Sequence, residues 1–152
     1  MKRLWIWLFP ATYLIHIAEE YYGGEGFYRW FSQLAGIRFG AHDFLVLNAI
    51  AWCVMFVAIS LAAVFPPCRF LLVTFAGVVL LNSLLHLSLS MWTHSYSPGV
   101  VSGLLCWMPL GIYTLRREWP EMPHSTFGLS ILLSIALHAL VTFSAMANQT
   151  AV

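Results

Sequence analysis

The sequence predicts an all-α fold, a polytopic membrane helix bundle of about five transmembrane helices with one interfacial amphipathic helix. Three observations carry that prediction. Of 152 residues, 61% are hydrophobic and 9% charged, whereas soluble domains run at roughly a quarter charged. Five apolar stretches, 4–22, 44–65, 70–92, 98–115 and 127–147, approach the length of about 20 residues that a helix needs to cross a bilayer core. Proline and glycine stand at the joints between them, where helices stop.

In chain order, Met1-Lys2-Arg3 before an apolar run imitates a secretory leader, but no small-residue cleavage pattern follows and the run leads straight into carboxylates. The stretch 4–22 therefore reads as a retained first span. In the connection after it, Phe27, Trp30, Phe31, Leu34 and Ile37 recur at helical spacing beside Arg29, Gln33 and Arg38. That outlines an amphipathic helix over 25–39, first an anchor on the membrane surface and in the alternative a lid that lays Trp30 and Phe31 against a bound molecule. Pro66-Pro67 separates the second span from the third, and the lengths of both argue against a re-entrant pair. Ser97-Pro98-Gly99 opens the fourth, and Trp119-Pro120 through Pro123 precedes the fifth. No internal repeat stands out, so 1–152 reads as a single membrane domain.

If the spans alternate, Lys2, Arg3, Arg69, Arg116 and Arg117 fall on one side and only Arg29 and Arg38 on the other. The positive-inside rule then places the N-terminus in the cytoplasm and the C-terminus outside. Seven basic residues against six acidic ones leave a net charge of +1, which offers no surface to nucleic acid. Cys53, Cys68 and Cys106 form no CxxC pair, which argues against a disulfide scaffold or a thiolate metal site. No nicotinamide or flavin fingerprint is present, and no nucleotide cofactor is expected.

The most informative string is His16-Ile17-Ala18-Glu19-Glu20, near the end of the first span. At i, i+3 and i+4, His16, Glu19 and Glu20 are expected on one helix face, and ionisable groups inside a span are costly enough to mark a functional site. At about 1.5 Å per residue, His16 lies roughly 9 Å below the outer end of its span, and His86 about as far below the outer end of the third. Asn48, Asn82 one turn deeper than His86, and His138 in the fifth span aim at the same level. Ser130, Ser134, His138 and Thr142 form a polar stripe that must face protein or water, although such stripes also simply join helices. The turn His94-Ser95-Tyr96-Ser97-Pro98-Gly99 would hold Tyr96 over the pocket mouth. His94, His42-Asp43 and His124 read as solvated, and the seven tryptophans as interface or packing residues.

The combination of His16-Ile17-Ala18-Glu19-Glu20, a second histidine at His86 and Tyr96-Ser97-Pro98-Gly99 resembles the HXXEE domain family of small membrane proteins, named for the first motif. The resemblance runs from the first span to the fourth, with the three elements in the family's order. It implies a membrane domain whose biochemical role is not established, with His16, Glu19, Glu20, His86, Tyr96, Pro98 and Gly99 as family positions. It supplies no reaction.

The residues themselves allow several chemistries. His16, Glu19 or Glu20, His86 and also His138 form a nitrogen and oxygen donor set suited to Zn or Fe(II), with Asn82 or the spare glutamate behind it. Without a metal, two adjacent glutamates oppose each other's ionisation, so a protonated one paired with histidine could serve as acid and base, oriented by Asn48, Asn82 and Tyr96. Either scheme fits an enzyme that isomerises, cyclises or hydrolyses a membrane lipid or other lipophilic small molecule. The alternatives are lipid binding, proton- or ion-coupled transport, or a structural staple between helices. Gly103 and Gly111 would permit close helix approach within one chain or between copies, which leaves an oligomer open.

Overall fold

The computed structural model describes residues 4–147 and is all-α among them, so Lys2 and Arg3 of the charge count lie outside the described residues. A 3-10 turn, Leu4–Trp7, runs into α1 (Leu8–Tyr22), followed by α2 (Phe27–Ala35) and α3 (Ala41–Val64). A second 3-10 turn, Pro66–Arg69, leads into α4 (Phe70–Thr93). The continuous helical run 100–118 is α5, built of Val100–Ser102, a π turn over Gly103–Trp107, and Met108–Glu118. A last 3-10 turn, Trp119–Glu121, precedes α6 (His124–Ala147).

Three stretches are long and apolar enough to cross a membrane: Ala41–Val64, Pro66–Thr93 and His124–Ala147. They contain most of the expected runs 44–65, 70–92 and 127–147. The other two expected spans take a different form. The first is a 15-residue helix behind its 3-10 turn, and the fourth starts at Val100 and continues to Glu118. Local chemistry sets these limits. Phe65 is extended (ψ 110) because the ring of Pro66 bars the residue before it from helical geometry. In α5, Pro109 has no N–H to offer Leu105 and its ring crowds that carbonyl, and the helix widens into a π turn there.

The central helix is α4, packed most extensively against α6 and α5 and also against α3. Lipid supplies no hydrophobic drive between helices, so close contact has to do the work. A Cβ on Gly111 would lie 2.9 Å from the Ala76 carbonyl oxygen, and one on Gly103 would lie 3.4 Å from Ser83 Cα. Both glycines thus bring α5 onto α4 of the same chain. Ser130 and Ser134 are buried and satisfy their hydroxyls on carbonyls of their own helix at 2.7 and 2.6 Å, while Thr74 of α4 donates across to the Ser130 carbonyl at 3.4 Å. At one end of the bundle the Arg69 guanidinium donates to Glu118 Oε2 at 2.6 and 3.1 Å, with Glu118 fully buried. This bridge ties the start of α4 to the end of α5.

The interfacial helix turns out to face inward. Trp30 is buried, and Phe27 and Phe31 pack beside Phe39 and Phe44 instead of lying on the outer surface. Its two ends, Gly26 (φ 83) and Gly36 (φ 66), sit where only glycine is comfortable, which turns the chain sharply enough to fold the helix back over the bundle. The packing places the apolar stripe of α2 against protein.

Candidate functional site

The last two turns of α1 present His16 and Glu20 to α4, where His86 meets them. Glu20 Oε1 lies 3.6 Å from His16 Nε2 and 3.3 Å from His86 Nε2. One ligand atom from each residue falls within 4.8 Å of the others. All three are buried, at 1%, 5% and 1% exposure for His16, Glu20 and His86. The two imidazoles stand edge to face with centroids 5.3 Å apart.

Each imidazole is held from behind. His16 Nδ1 meets Ser102 Oγ at 2.8 Å, and His86 Nδ1 meets Ser97 Oγ at 2.9 Å. Trp107, at the end of the π turn, stacks on His16 at 3.7 Å, and Phe27 of α2 lies against His86 at 5.3 Å. Gly99 closes the third side. Its φ of +101 is one that other residues rarely adopt, and a Cβ there would stand 2.9 to 3.0 Å from His86 Cε1, Glu20 Cγ and His16 Cε1.

Glu19 points elsewhere. Its Oε1 accepts from the Tyr96 hydroxyl at 2.6 Å and from Val101 N at 2.9 Å, and its Oε2 accepts from Ser102 N at 2.6 Å. It therefore caps α5, whose first N–H groups have no partner within the helix. Adjacent helical residues leave the axis about 100° apart, which is why the motif's two carboxylates cannot share one centre and the expected single face is split. Burial, then the hydrogen bond to Glu19, then the charge of that carboxylate push the Tyr96 phenol up to about 12, so it stays a donor at physiological pH.

A cavity of about 300 Å³ borders the centre. His16, Glu20, His86, Asn48, Asn82 and His138 reach it, while the rest of its wall is mostly hydrocarbon and phenyl groups, Phe31 of α2 among them. Tyr13 donates to Asn48 Oδ1 at 3.0 Å on this wall. Ile50 and Val54 of α3 and Leu140 and Val141 of α6 line the cavity and are also exposed on the outside of the bundle. The chamber thus opens between these two apolar helices. Two buried polar atoms beside the centre, His16 Nε2 and Asn82 Oδ1, belong to side chains that face each other without a well-formed hydrogen bond.

Residues 7–114, which contain every element of this centre, match the family described as "Protein of unknown function with HXXEE motif". The chain belongs to the HXXEE family. No curated protein and no solved structure matches it. The histidine and second glutamate of the HXXEE motif form the buried cluster with His86, and its first glutamate organises the loop that carries Tyr96, Ser97 and Gly99.

Of the other residues singled out by sequence, Asn48, Asn82 and His138 reach the chamber without joining the three-residue cluster. Trp30 sits in α2 and donates from Nε1 to Ser95 Oγ at 3.3 Å. His94 and His124 are exposed, and the His42 side chain is 88% exposed, as expected of solvated groups. Sequence reasoning passed over Ser97, Ser102, Trp107 and Gly99's steric role. The spacing of Ser102, three residues after Gly99 at the start of a helix, was the available signal for one of them. Cys53, Cys68 and Cys106 are free.

Proposed function

We propose that this HXXEE protein is a membrane-embedded enzyme that acts on the polar end of a lipophilic substrate, with Glu20 and the His16/His86 pair as its reactive centre. The observation that carries this reading is the burial of three ionisable groups on the wall of an otherwise apolar chamber that opens between α3 and α6. Buried ionisable residues are expensive in a membrane and are kept where they handle substrates, ions or protons. A volume near 300 Å³ falls at the small end of the roughly 300–1,000 Å³ typical of small-molecule sites. An acyl or isoprenoid chain would enter sideways, and Asn82 and Asn48 would orient its polar end.

The topology that goes with this reading has five crossings. The 15 residues of α1 rise about 22 Å and its four-residue 3-10 turn about 8 Å more, and together they match a core of about 30 Å. With Arg69, Arg116 and Arg117 on the cytoplasmic side, the centre lies in the outer half of the membrane. Five spans without an internal repeat disfavour an alternating-access carrier, and a staple between helices would leave the chamber unused.

Two measurements test the proposal. Protein purified in lipid discs should retain a discrete lipophilic molecule by mass spectrometry, and Val78→Phe, which places a ring in the chamber, should displace it while the helical circular dichroism is kept. Membranes carrying Glu20→Gln should accumulate a lipid species that the wild-type protein consumes. Identical lipid profiles and no bound molecule in the wild type would sink the reading.

A further inference from the structure

We infer that His16 Nε2, Glu20 Oε1 and His86 Nε2 are the protein ligands of a single Zn²⁺ ion whose open coordination position faces the apolar chamber. The inference concerns the same centre as the proposed function and deepens it, but its own support is geometric.

The spacings come first. A carboxylate hydrogen-bonded directly to a charged imidazole would sit at about 2.7–2.9 Å, and Glu20 Oε1 stands farther off, at 3.3 and 3.6 Å from the two Nε2 atoms. Two donors on one tetrahedral ion with bonds of about 2.0–2.1 Å are separated by about 3.3–3.4 Å. The observed gaps suit a shared ion better than direct contact.

The imidazole contacts are compatible with ligation. His16 Nδ1 and Ser102 Oγ lie 2.8 Å apart, and with Nδ1 as the donor the Nε2 lone pair of that ring is free to bind an ion beside Glu20.

The surroundings complete the pattern of a metal centre. Metal-bound histidines generally use their second ring nitrogen on an oxygen that fixes orientation, and Ser102 and Ser97 occupy those places. Two ligands at i and i+4 on α1 with a third from α4 leave one tetrahedral position free, the arrangement of catalytic zinc sites. Asn82, on the chamber wall and next to the His16 side chain, would sit beside that position. When bound, the ion would polarise a carbonyl or lower the pKa of a water molecule in an otherwise apolar site.

The test uses the full chain, purified without a polyhistidine tag. Elemental analysis should find about one equivalent of Zn²⁺. After chelation, Co²⁺ used as a probe should rebind with the visible absorption of a tetrahedral site. Ser97→Ala and Ser102→Ala should each weaken Co²⁺ binding about 10–100-fold with circular dichroism unchanged, and His42→Ala should bind like the wild type. The inference is overturned if the wild-type chain carries no more Zn²⁺ than His16→Ala/His86→Ala, or if Glu20→Gln leaves the Co²⁺ spectrum and affinity intact. A metal-free chain that still retains and consumes a lipid overturns the metal alone, whereas one that holds Zn²⁺ but no lipid overturns the proposed substrate and leaves the metal standing.

Discussion

The two glutamates of the motif should fail in opposite ways. In Glu19→Gln the carboxylate that accepts from Tyr96 Oη, Val101 N and Ser102 N becomes an amide with one acceptor oxygen. Its NH₂ must then face a backbone N–H. One charge-assisted hydrogen bond is lost, about 1.5 kcal/mol at the low end of the range because Glu19 is half-buried and water can partly replace it. The two remaining bonds lose their charge assistance, about 0.5 kcal/mol each. The sum is about 2–3 kcal/mol, or a fall of roughly 4–12 °C in the unfolding midpoint for a chain of this size. Compared with the wild type after chelation, so that no bound ion contributes, Glu20→Gln removes a charge from a buried position between two imidazoles and should shift the midpoint by less than about 2 °C, with either sign, whereas substrate turnover and metal binding are lost. Differential scanning fluorimetry in one detergent, with lipid analysis alongside, measures both. If Glu19→Gln melts with the wild type, or Glu20→Gln is the more destabilised, the division of labour between cap and centre is wrong.

Gly99→Ala should cost about 1–2 kcal/mol for its left-handed backbone and should also abolish metal and lipid retention, because the new methyl group enters the space between His16, Glu20 and His86. Arg69→Met removes the guanidinium from the fully buried Glu118 and should destabilise by about 3–5 kcal/mol, most of it recovered in Arg69→Met/Glu118→Leu; denaturation midpoints of the three chains check this. The phenol of Tyr96 titrates at about 12 in the folded chain and near 10 unfolded, so its stabilisation is complete below about pH 10 and lost as pH rises towards 12. The midpoint difference between wild type and Tyr96→Phe should accordingly be flat from pH 7 to about 10 and shrink above that.

Much of this architecture could be read from the chain. Pro66 marks a helix limit because its ring keeps Phe65 extended, whereas Trp119 before Pro120 and Met108 before Pro109 stay helical. The common depth of His16 and His86 followed from helical rise alone, and the two residues do meet. Three features were less accessible. Whether the apolar stripe of α2 faces lipid or protein depends on what the turns at Gly26 and Gly36 do, and periodicity is the same in either case. The partners of the imidazoles, Ser97 and Ser102, are ordinary residues whose role exists only once the loop is folded against α1. The divergence of Glu19 from Glu20 was available from helix geometry, since neighbours differ by about 100°, but the compact motif invites a reading as one unit. The Arg69–Glu118 bridge joins residues 49 positions apart, and no local pattern announces such a pair.

One wall of the centre is the bare peptide of Gly99. A peptide has no side chain to exchange, so mutation cannot retune the chemistry from that direction without dismantling it. On the proposed function, changes in substrate choice would arise across the chamber, at hydrocarbon positions such as Val54, Leu137 and Val141, while the buried cluster itself stays fixed.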